Sequence, residues 1–455
     1  MSQDADYLTD LLVVGGGACG FAAAIAAHDA GIDVAVVEKL DRPGGNSALS
    51  TGSVPGAGSR FQREAGIEDD PERMIADLIA VAGPHEADPL TRLMAEQSAP
   101  LCEWLIDDLG ARMELVTAYK HVGHSVPRLH APRSRRGRDL VDDLLQFTEA
   151  RDIPLAVGNP VRRLVVEDGA VIGAQIGEDT VACRKILLAT NGYAGNREMV
   201  QRFCPEIAAA EYFGALGSTG EAITWGEEIG AGLANMGAYQ GYAAVAYPQG
   251  SLLSWTTIEK GGILVGADGR RFGNEDAGYS GFAPTVMGQG AFAWAIYDQS
   301  IHAVALEEEE YAEMSEMGAI RWEEDPGDLA RAVEIDPAGL TETIETYNAA
   351  ARGAVTDPFG RKNFNLAPLD PPYGIVRVKP GLFHTQGGLM VDEHARALRP
   401  DGSVVANLFA GGGAAAGISG RTGAGGYASG NGLLTALGLG RIAGLRAAAE
   451  IKGEV

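Results

Sequence analysis

The first apolar run of the chain, Asp10-Leu11-Leu12-Val13-Val14, stops abruptly at Gly15-Gly16-Gly17-Ala18-Cys19-Gly20. An alanine-rich stretch from Phe21 to Ala30 has helical character, Gly31 closes it, and Val34-Ala35-Val36-Val37-Glu38 forms a second apolar run. Strand, glycine turn, helix and strand in that order predict a βαβ unit of about 30 residues. Arg42 to Gly58 is rich in Gly, Ser and Pro and reads as a long loop. Asp70 to Leu109 and Leu140 to Ala150 carry helical patterning, with an irregular stretch rich in His, Pro and Arg from Arg112 to Arg138. Val161–Val166 and Val171–Ile176 alternate about Asp168-Gly169, which is a hairpin signal. Lys185 to Thr190 is a third buried-strand candidate and runs into Asn191-Gly192-Tyr193.

The pattern changes between about Met236 and Asp370, where aromatics, the acidic run Glu307–Glu310 and short glycine-bounded strands replace it. The last part returns to Gly/Ala-rich apolar patterning. The expectation is one α/β nucleotide-binding domain, residues 1–235 and 371–455, interrupted by an inserted domain at 236–370. The 455 residues and their 46% hydrophobic content are ample for a buried core. A net charge of −25 argues against nucleic acid and anionic membrane as main partners. The four cysteines, Cys19, Cys102, Cys183 and Cys204, show no C-x-x-C spacing and so predict neither a disulfide framework nor a zinc site. Met1–Asp10 has no Lys or Arg and does not read as a signal peptide, and no run of about 18 apolar residues predicts a membrane span. The expected location is cytoplasmic.

Gly15, Gly17 and Gly20 form G-x-G-x-x-G between a strand and a helix, with Glu38 at the end of the next strand. The first glycine permits the tight turn, the second lets a pyrophosphate approach the backbone, and the third lets helix and strand pack closely. The helix N-terminus supplies N–H groups and a positive dipole end, and Glu38 suits the ribose hydroxyls. A dinucleotide is the expected ligand.

The segment Glu38 to Gly52 (EKLDRPGGNSALSTG) resembles the flavin loop of the fumarate reductase and 3-ketosteroid Δ1-dehydrogenase flavoproteins. So do Ala189-Thr190-Asn191-Gly192-Tyr193, the stretch from Thr385 through Gly411-Gly412, and Gly420 to Gly444. The resemblance spans nearly the whole chain in the family's motif order. It implies FAD on a Rossmann-type, glutathione-reductase-like FAD-binding domain with an inserted α+β capping domain. The residues it assigns to the cofactor are Gly15, Gly17, Ala18, Cys19, Gly20, Glu38, Lys39, Gly45, Asn46, Ser47, Thr51, Gly52, Thr190, Asn191, Gly192, Gly411, Gly412, Ser429, Leu433 and Leu434. A helix from Ser429 to Arg446 would begin near the flavin. Some relatives attach FAD through a histidine where this chain has Asn46, so the expected FAD is non-covalent. A second strand-associated fingerprint for NAD(P)H is lacking, which leaves O2 or an external acceptor for the electrons.

Gly269 to Glu275 resembles the family's G-x-R-F-x-N-E element. Five residues beyond its Asn274, fumarate reductases carry a proton-donating arginine and ketosteroid dehydrogenases a catalytic tyrosine; this chain has Tyr279. A phenolate could remove a proton α to a carbonyl, given a neighbour that lowers the ordinary tyrosine pKa of about 10. His384 stands where fumarate reductases hold a substrate carboxylate, and Arg421 stands near their carboxylate-binding arginine, in a run two residues longer than theirs. Gly423 replaces the tyrosine with which ketosteroid dehydrogenases polarise the ketone, so Tyr119, Tyr242, Tyr427 or a loop N–H is expected to take that part.

His121, His124 and His130 with Arg133, Arg135, Arg136 and Arg138 read as a basic surface loop or as a lining of the substrate entrance, and no metal is expected there. The site is expected between the two domains. The leading function is FAD-dependent α,β-dehydrogenation of a small cyclic ketone, possibly a keto acid such as 4-oxocyclohexanecarboxylate. The alternatives are a fumarate-reductase-type ene-reductase of an unsaturated acid, a 3-ketosteroid dehydrogenase, or a flavin-binding protein without turnover.

Overall fold

A computed structural model describes residues 5–118 and 120–455; Tyr119 therefore lies outside the described residues. The chain divides into two compact units, one of residues 1–205, 214–239 and 384–455, the other of residues 206–213 and 240–383.

Unit 1 is built on an eight-stranded sheet. Its main strands are β1 (Tyr7–Val14), β2 (Val34–Val37), β3 (Leu155–Ala156), β4 (Asp179–Leu188), β5 (Arg396–Leu398) and β6 (Val404–Ala410), in the spatial order β5-β6-β4-β1-β2-β3. All neighbours in that row are parallel except β5 and β6. The hairpin Val161–Glu167/Ala170–Ile176 joins antiparallel to β4. Its turn residues Asp168 and Gly169 both have positive φ, 49° and 78°, as a two-residue turn with the strands' own twist demands. Leu11 to Val14 are all at most 5% exposed, so both faces of β1 are covered, which is why the run is continuously apolar.

Register aligns Val14 with Val37 and with Leu188, and Leu188 with Ala410. Four strands therefore end in one row, and the segments leaving them share one carboxyl edge of the sheet, where open α/β sheets place their ligands. Helix α1 (Ala18–Asp29) leaves the first of these turns; its ten residues from Ala18 to Ala27 are buried.

Helix α2 (Asn431–Lys452) differs from the expected 429–446: Gly430 and Gly453, at φ 84° and 74°, cannot continue a helix and mark its limits. The helical stretch from Asp70 splits into Pro71–Ala82 and Asp88–Glu103, because Gly83 turns to φ 64° and Pro84 follows. The expected basic surface loop holds for Arg133, Arg136 and Arg138, which are exposed, and is corrected for His130, which is wholly buried, and His124, nearly so; Arg128 between them is wholly buried as well. Arg128 holds Asp69 at 2.8 Å and Asp77 at 2.8 Å, and Ser59 Oγ meets His130 Nε2 at 3.1 Å. Ion pairing lets arginine enter a core that composition alone would deny it.

Unit 2 carries antiparallel pairing of Ile263–Val265 with Ala293–Asp298, and of Ala293–Asp298 with the strand Tyr373–Thr385. Val245, Leu264, Ile296, Val376 and Leu340 lie in its core. Among the described residues no helix is long and apolar enough to cross a membrane. The four cysteines are buried and unbridged.

Candidate active site

The three fingerprint glycines answer to three different constraints. At Gly15, φ is 118° and a Cβ would lie 2.3 Å from Ala189 O. At Gly20 a Cβ would lie 1.9 Å from Gly15 O, so helix and turn touch backbone to backbone. At Gly17 a Cβ would meet only ordinary contacts, Gly44 O at 3.7 Å and Ser47 Oγ at 3.9 Å. That leaves room beside the first turn of α1, whose N-cap Gly17 supplies no side-chain cap and whose Ala18 N–H reaches Ser47 Oγ only at 3.3 Å. Glu38 accepts from Gly16 N–H and from Leu40 N–H, both at 2.8 Å, which fixes its carboxylate at the end of β2.

Two side-chain atoms of this edge are buried without a partner: Asn46 Nδ2 and Thr190 Oγ1. Asn46 Oδ1 meanwhile accepts from Ala215 N–H at 2.6 Å, so the amide is held with its donor unused. An orphaned donor, an orphaned hydroxyl, an uncapped helix start and open space at Gly17 and Gly45 fit a polyhydroxyl, doubly phosphorylated ligand such as FAD. Gly411 and Gly412 leave β6 in the same row, and Gly411 N–H donates to Leu188 O at 3.0 Å. Asn191 takes a positive φ of 67° and accepts from Gly192 N–H at 2.9 Å. Other assigned residues face the protein itself. The Lys39 ammonium binds Glu221 and Thr219 Oγ1, Thr51 Oγ1 meets Ser53 Oγ at 2.9 Å, and burial pushes the Cys19 thiol up to about 12. Leu433 and Leu434 are buried in the first turn of α2, and Gly52 has φ 70°.

A brace behind α2 had no signal in the sequence. His124 Nε2 donates to Ser429 O at 2.7 Å, while its Nδ1 accepts from Arg128 Nη1 at 3.2 Å. Burial, reinforced by the Arg128 charge, pushes His124 down to about 4, so the ring is neutral and this tautomer is the one the two bonds require. Asp69 and Asp77, many residues away in the chain, complete it.

His384 is likewise neutral: burial pushes it down to about 4. Gln386 Nε2 donates to its Nδ1 at 2.9 Å, which leaves the ring proton on Nε2. The i, i+2 spacing of His384 and Gln386 was the available signal, since alternate residues of an extended segment share a face. His384 also makes an edge contact with Tyr427, ring centroids 5.6 Å apart. Arg421 Nε lies 2.7 Å from Glu86 Oε1, with both side chains solvent-accessible. Gly423 has φ 75°, and a Cβ there would meet nothing within 4 Å.

In unit 2, Tyr279 sits in the helical turn Gly278–Gly281, half-buried. Its ring stacks on Tyr242 at 5.2 Å and meets Trp255 edge-on at 6.5 Å. Phe383 joins Tyr242 at 5.7 Å. Ser280 Oγ accepts from Gly241 N–H at 3.1 Å, tying the turn to the strand that bears Tyr242. The Tyr242 hydroxyl is itself committed, donating to Leu253 O at 2.9 Å and accepting from Trp255 N–H at 3.1 Å. Burial, with Glu308 and Glu310 adding to it, raises that phenol well above its ordinary range. Tyr242 thus supports Tyr279 by stacking, and its proton is not available to a substrate, a correction to the expectation that it could polarise a ketone. The motif before Tyr279 is structural. Buried Arg271 binds Glu275 at 2.5 Å and Asp357 at 2.5 Å, and Asn274 caps the following turn. Arg270 binds Glu342 at 2.7 Å.

The FAD binding domain family matches residues 10–433 of this chain. The probable fumarate reductase Ifc3 of Shewanella frigidimarina (strain NCIMB 400) is 30% identical over 451 residues, covering 97% of this chain and 75% of that protein. The 4-oxocyclohex-2-ene-1-carboxylate 5-dehydrogenase of Sinomonas cyclohexanicum is 25% identical over 547 residues, covering 94% of this chain and 91% of that protein. The crystal structure of 3-ketosteroid-Δ4-(5α)-dehydrogenase from Rhodococcus jostii RHA1, in complex with 4-androstene-3,17-dione, superposes with a TM-score of 0.78 at 25% identity, covering 98% of each chain. With the fingerprint at the carboxyl edge of its sheet and a family match over nearly all of its length, the chain belongs to the FAD binding domain family and is an FAD-dependent oxidoreductase acting on CH–CH bonds.

Proposed function

We propose that this enzyme dehydrogenates a small cyclic ketone at the α,β position, and that its substrate carries a carboxylate, as 4-oxocyclohexanecarboxylate does. The observation that carries the reading is Tyr279: a half-buried phenol on an aromatic cluster, five residues beyond Asn274, where a reductase of the fumarate type needs a cationic proton donor. The arginines nearest to it in sequence, Arg270 and Arg271, are both spent on carboxylates. Bound FAD supplies the two-electron acceptor that such a reaction requires. Tyr279 takes the proton from the carbon α to the carbonyl. Neutral His384 offers an Nε2–H hydrogen bond without charge, and Arg421, whose exposed side chain pairs with Glu86, is the cation that the family resemblance assigns to a substrate carboxylate. The similarity to a 4-oxocyclohex-2-ene-1-carboxylate dehydrogenase supports this substrate class.

Anaerobic mixing of the oxidised enzyme with 4-oxocyclohexanecarboxylate should bleach the flavin band. A flavin that no cyclic ketone bleaches, but that fumarate reoxidises after chemical reduction, would replace this reading by its rival. That rival is an ene-reductase of an unsaturated acid, favoured by the higher identity to a fumarate reductase. Bleaching by a steroid ketone alone would mark a ketosteroid dehydrogenase.

The same reading expects non-covalent FAD, because Asn46 offers no linking nucleophile. Acid precipitation should leave a yellow supernatant containing FAD; a yellow pellet overturns it. The proposed location is cytoplasmic, with O2 or an external acceptor reoxidising the enzyme. Arg421→Lys replaces a planar fork by a point charge, so kcat/KM for the keto acid should fall by about 1.5–3 kcal/mol, the range for hydrogen bonds to charged groups. Cyclohexanone turnover should stay near wild type, and equal losses on both substrates would remove the carboxylate.

A further inference from the structure

Arg421 is the single fully charged residue between Gly411 and Leu433. The group that meets it is a carboxylate of the protein, Glu86, at 2.7 Å. The pair stands in the open, with side-chain exposures of 63% for Arg421 and 38% for Glu86, where ion pairs contribute little stability. Yet the two loops that carry it are fixed with care. Asn235 Nδ2 donates both to His85 Nδ1, at 3.2 Å, and to Gly417 O, at 2.8 Å. One amide thus brackets the loop before Glu86 and the loop before Arg421. His85 is buried, and its Nδ1 also accepts from Ala87 N–H at 3.1 Å, so the residues on both sides of Glu86 are held. Gly420 packs so closely on the end of helix Pro71–Ala82 that a Cβ would lie 2.9 Å from Ala82 O. Asn235 itself adopts a positive φ of 54°, an uncommon conformation for a residue with a side chain. A rigid frame around a weak, solvent-accessible pair is a poor way to gain stability and a good way to hold a displaceable one.

We propose that Glu86 is a specificity-determining residue: it occupies the Arg421 fork in the absence of substrate, and a substrate carboxylate binds by taking its place. The inference rests on the reading of Arg421 as the carboxylate-binding group. Its chemistry is an exchange of one carboxylate for another on a single guanidinium, so a neutral ketone gains nothing from it. Removing the internal competitor should tighten acids selectively, because the substrate no longer displaces an anion or binds beside one.

The test is a titration of the oxidised holoenzyme with cyclohexanecarboxylate and, separately, cyclohexanone, read from the flavin difference spectrum. Glu86→Gln should lower Kd for the acid by about three- to tenfold, the scale of losing one exposed ion pair and its repulsion of the ligand, and leave cyclohexanone unchanged. Should that variant lose FAD, Glu86→Ala takes its place in the same titration. If the acid binds Glu86→Gln no more tightly than wild type while Arg421→Lys weakens it, Glu86 is only a structural partner and the Arg421 reading stands. If Arg421→Lys leaves acid binding unchanged, the Arg421 reading fails and the proposal with it. Equal tightening of acid and ketone overturns the competitor and points to a general loosening of the loop.

Discussion

Tyr279→Phe should retain the flavin absorbance of the wild-type enzyme and lose ketone dehydrogenation by at least about 100-fold, the lower bound of a typical general-base contribution. The substitution removes one oxygen and little else. The ring that stacks on Tyr242 at 5.2 Å and meets Trp255 at 6.5 Å is kept, so the aromatic cluster has no reason to rearrange. Cluster and turn are also fixed independently of the phenol, by the Gly241–Ser280 hydrogen bond and by the buried Arg271 network before the turn. The loss should appear in the reductive half-reaction, as slow bleaching by ketone with unchanged FAD content. A variant that bleaches at the wild-type rate would pass the base to another group, with Tyr119 next in line. Loss of FAD from the variant would instead make Tyr279 a packing residue.

The largest effect on stability should come from Arg128→Met. The guanidinium and the Asp69 carboxylate have no solvent exposure, and Asp77 has 18%. Methionine fills most of the volume but leaves two carboxylates without their cation, which costs about 3–5 kcal/mol when a buried pair is broken from one side. His124 simultaneously loses the donor on Nδ1 that sets its tautomer, and with it the geometry of its bond to Ser429 O ahead of α2. Urea unfolding followed by circular dichroism should therefore show a large drop, together with weaker FAD retention. Arg92→Ala, which breaks an exposed pair with Glu72, should leave the midpoint essentially in place. A small change for Arg128→Met would mean that water reaches Asp69 and Asp77, and that the brace behind α2 does not depend on Arg128.

The contrast between these two residues shows what the sequence alone determined. The G-x-G-x-x-G turn, Glu38, the hairpin at Asp168-Gly169 and the continuous apolar strands were legible because each is a local constraint. A tight turn needs Gly15, a backbone contact needs Gly20, and a strand covered on both faces is apolar throughout. Tyr279 was legible as a residue at a fixed distance from a motif. Its stacking partner was not, because the Tyr242 hydroxyl is committed to Leu253 and Trp255, contacts that form only when a strand and a loop meet. The tertiary structure also decided that the sequence from His124 to His130 enters the core. Arg128 can enter with it because Asp69 and Asp77, from the helix Pro71–Ala82 and the loop before it, neutralise its charge, whereas Arg133, Arg136 and Arg138 stay exposed. Glu86 belongs to the same class: nothing near it in sequence marks it, and Asn235 brings it to Arg421 through two long-range hydrogen bonds. Glycine geometry and hydrophobic periodicity act over a few residues and are written in the sequence. Charge compensation and hydroxyl satisfaction act through space, so their outcome is settled only when distant segments are packed together.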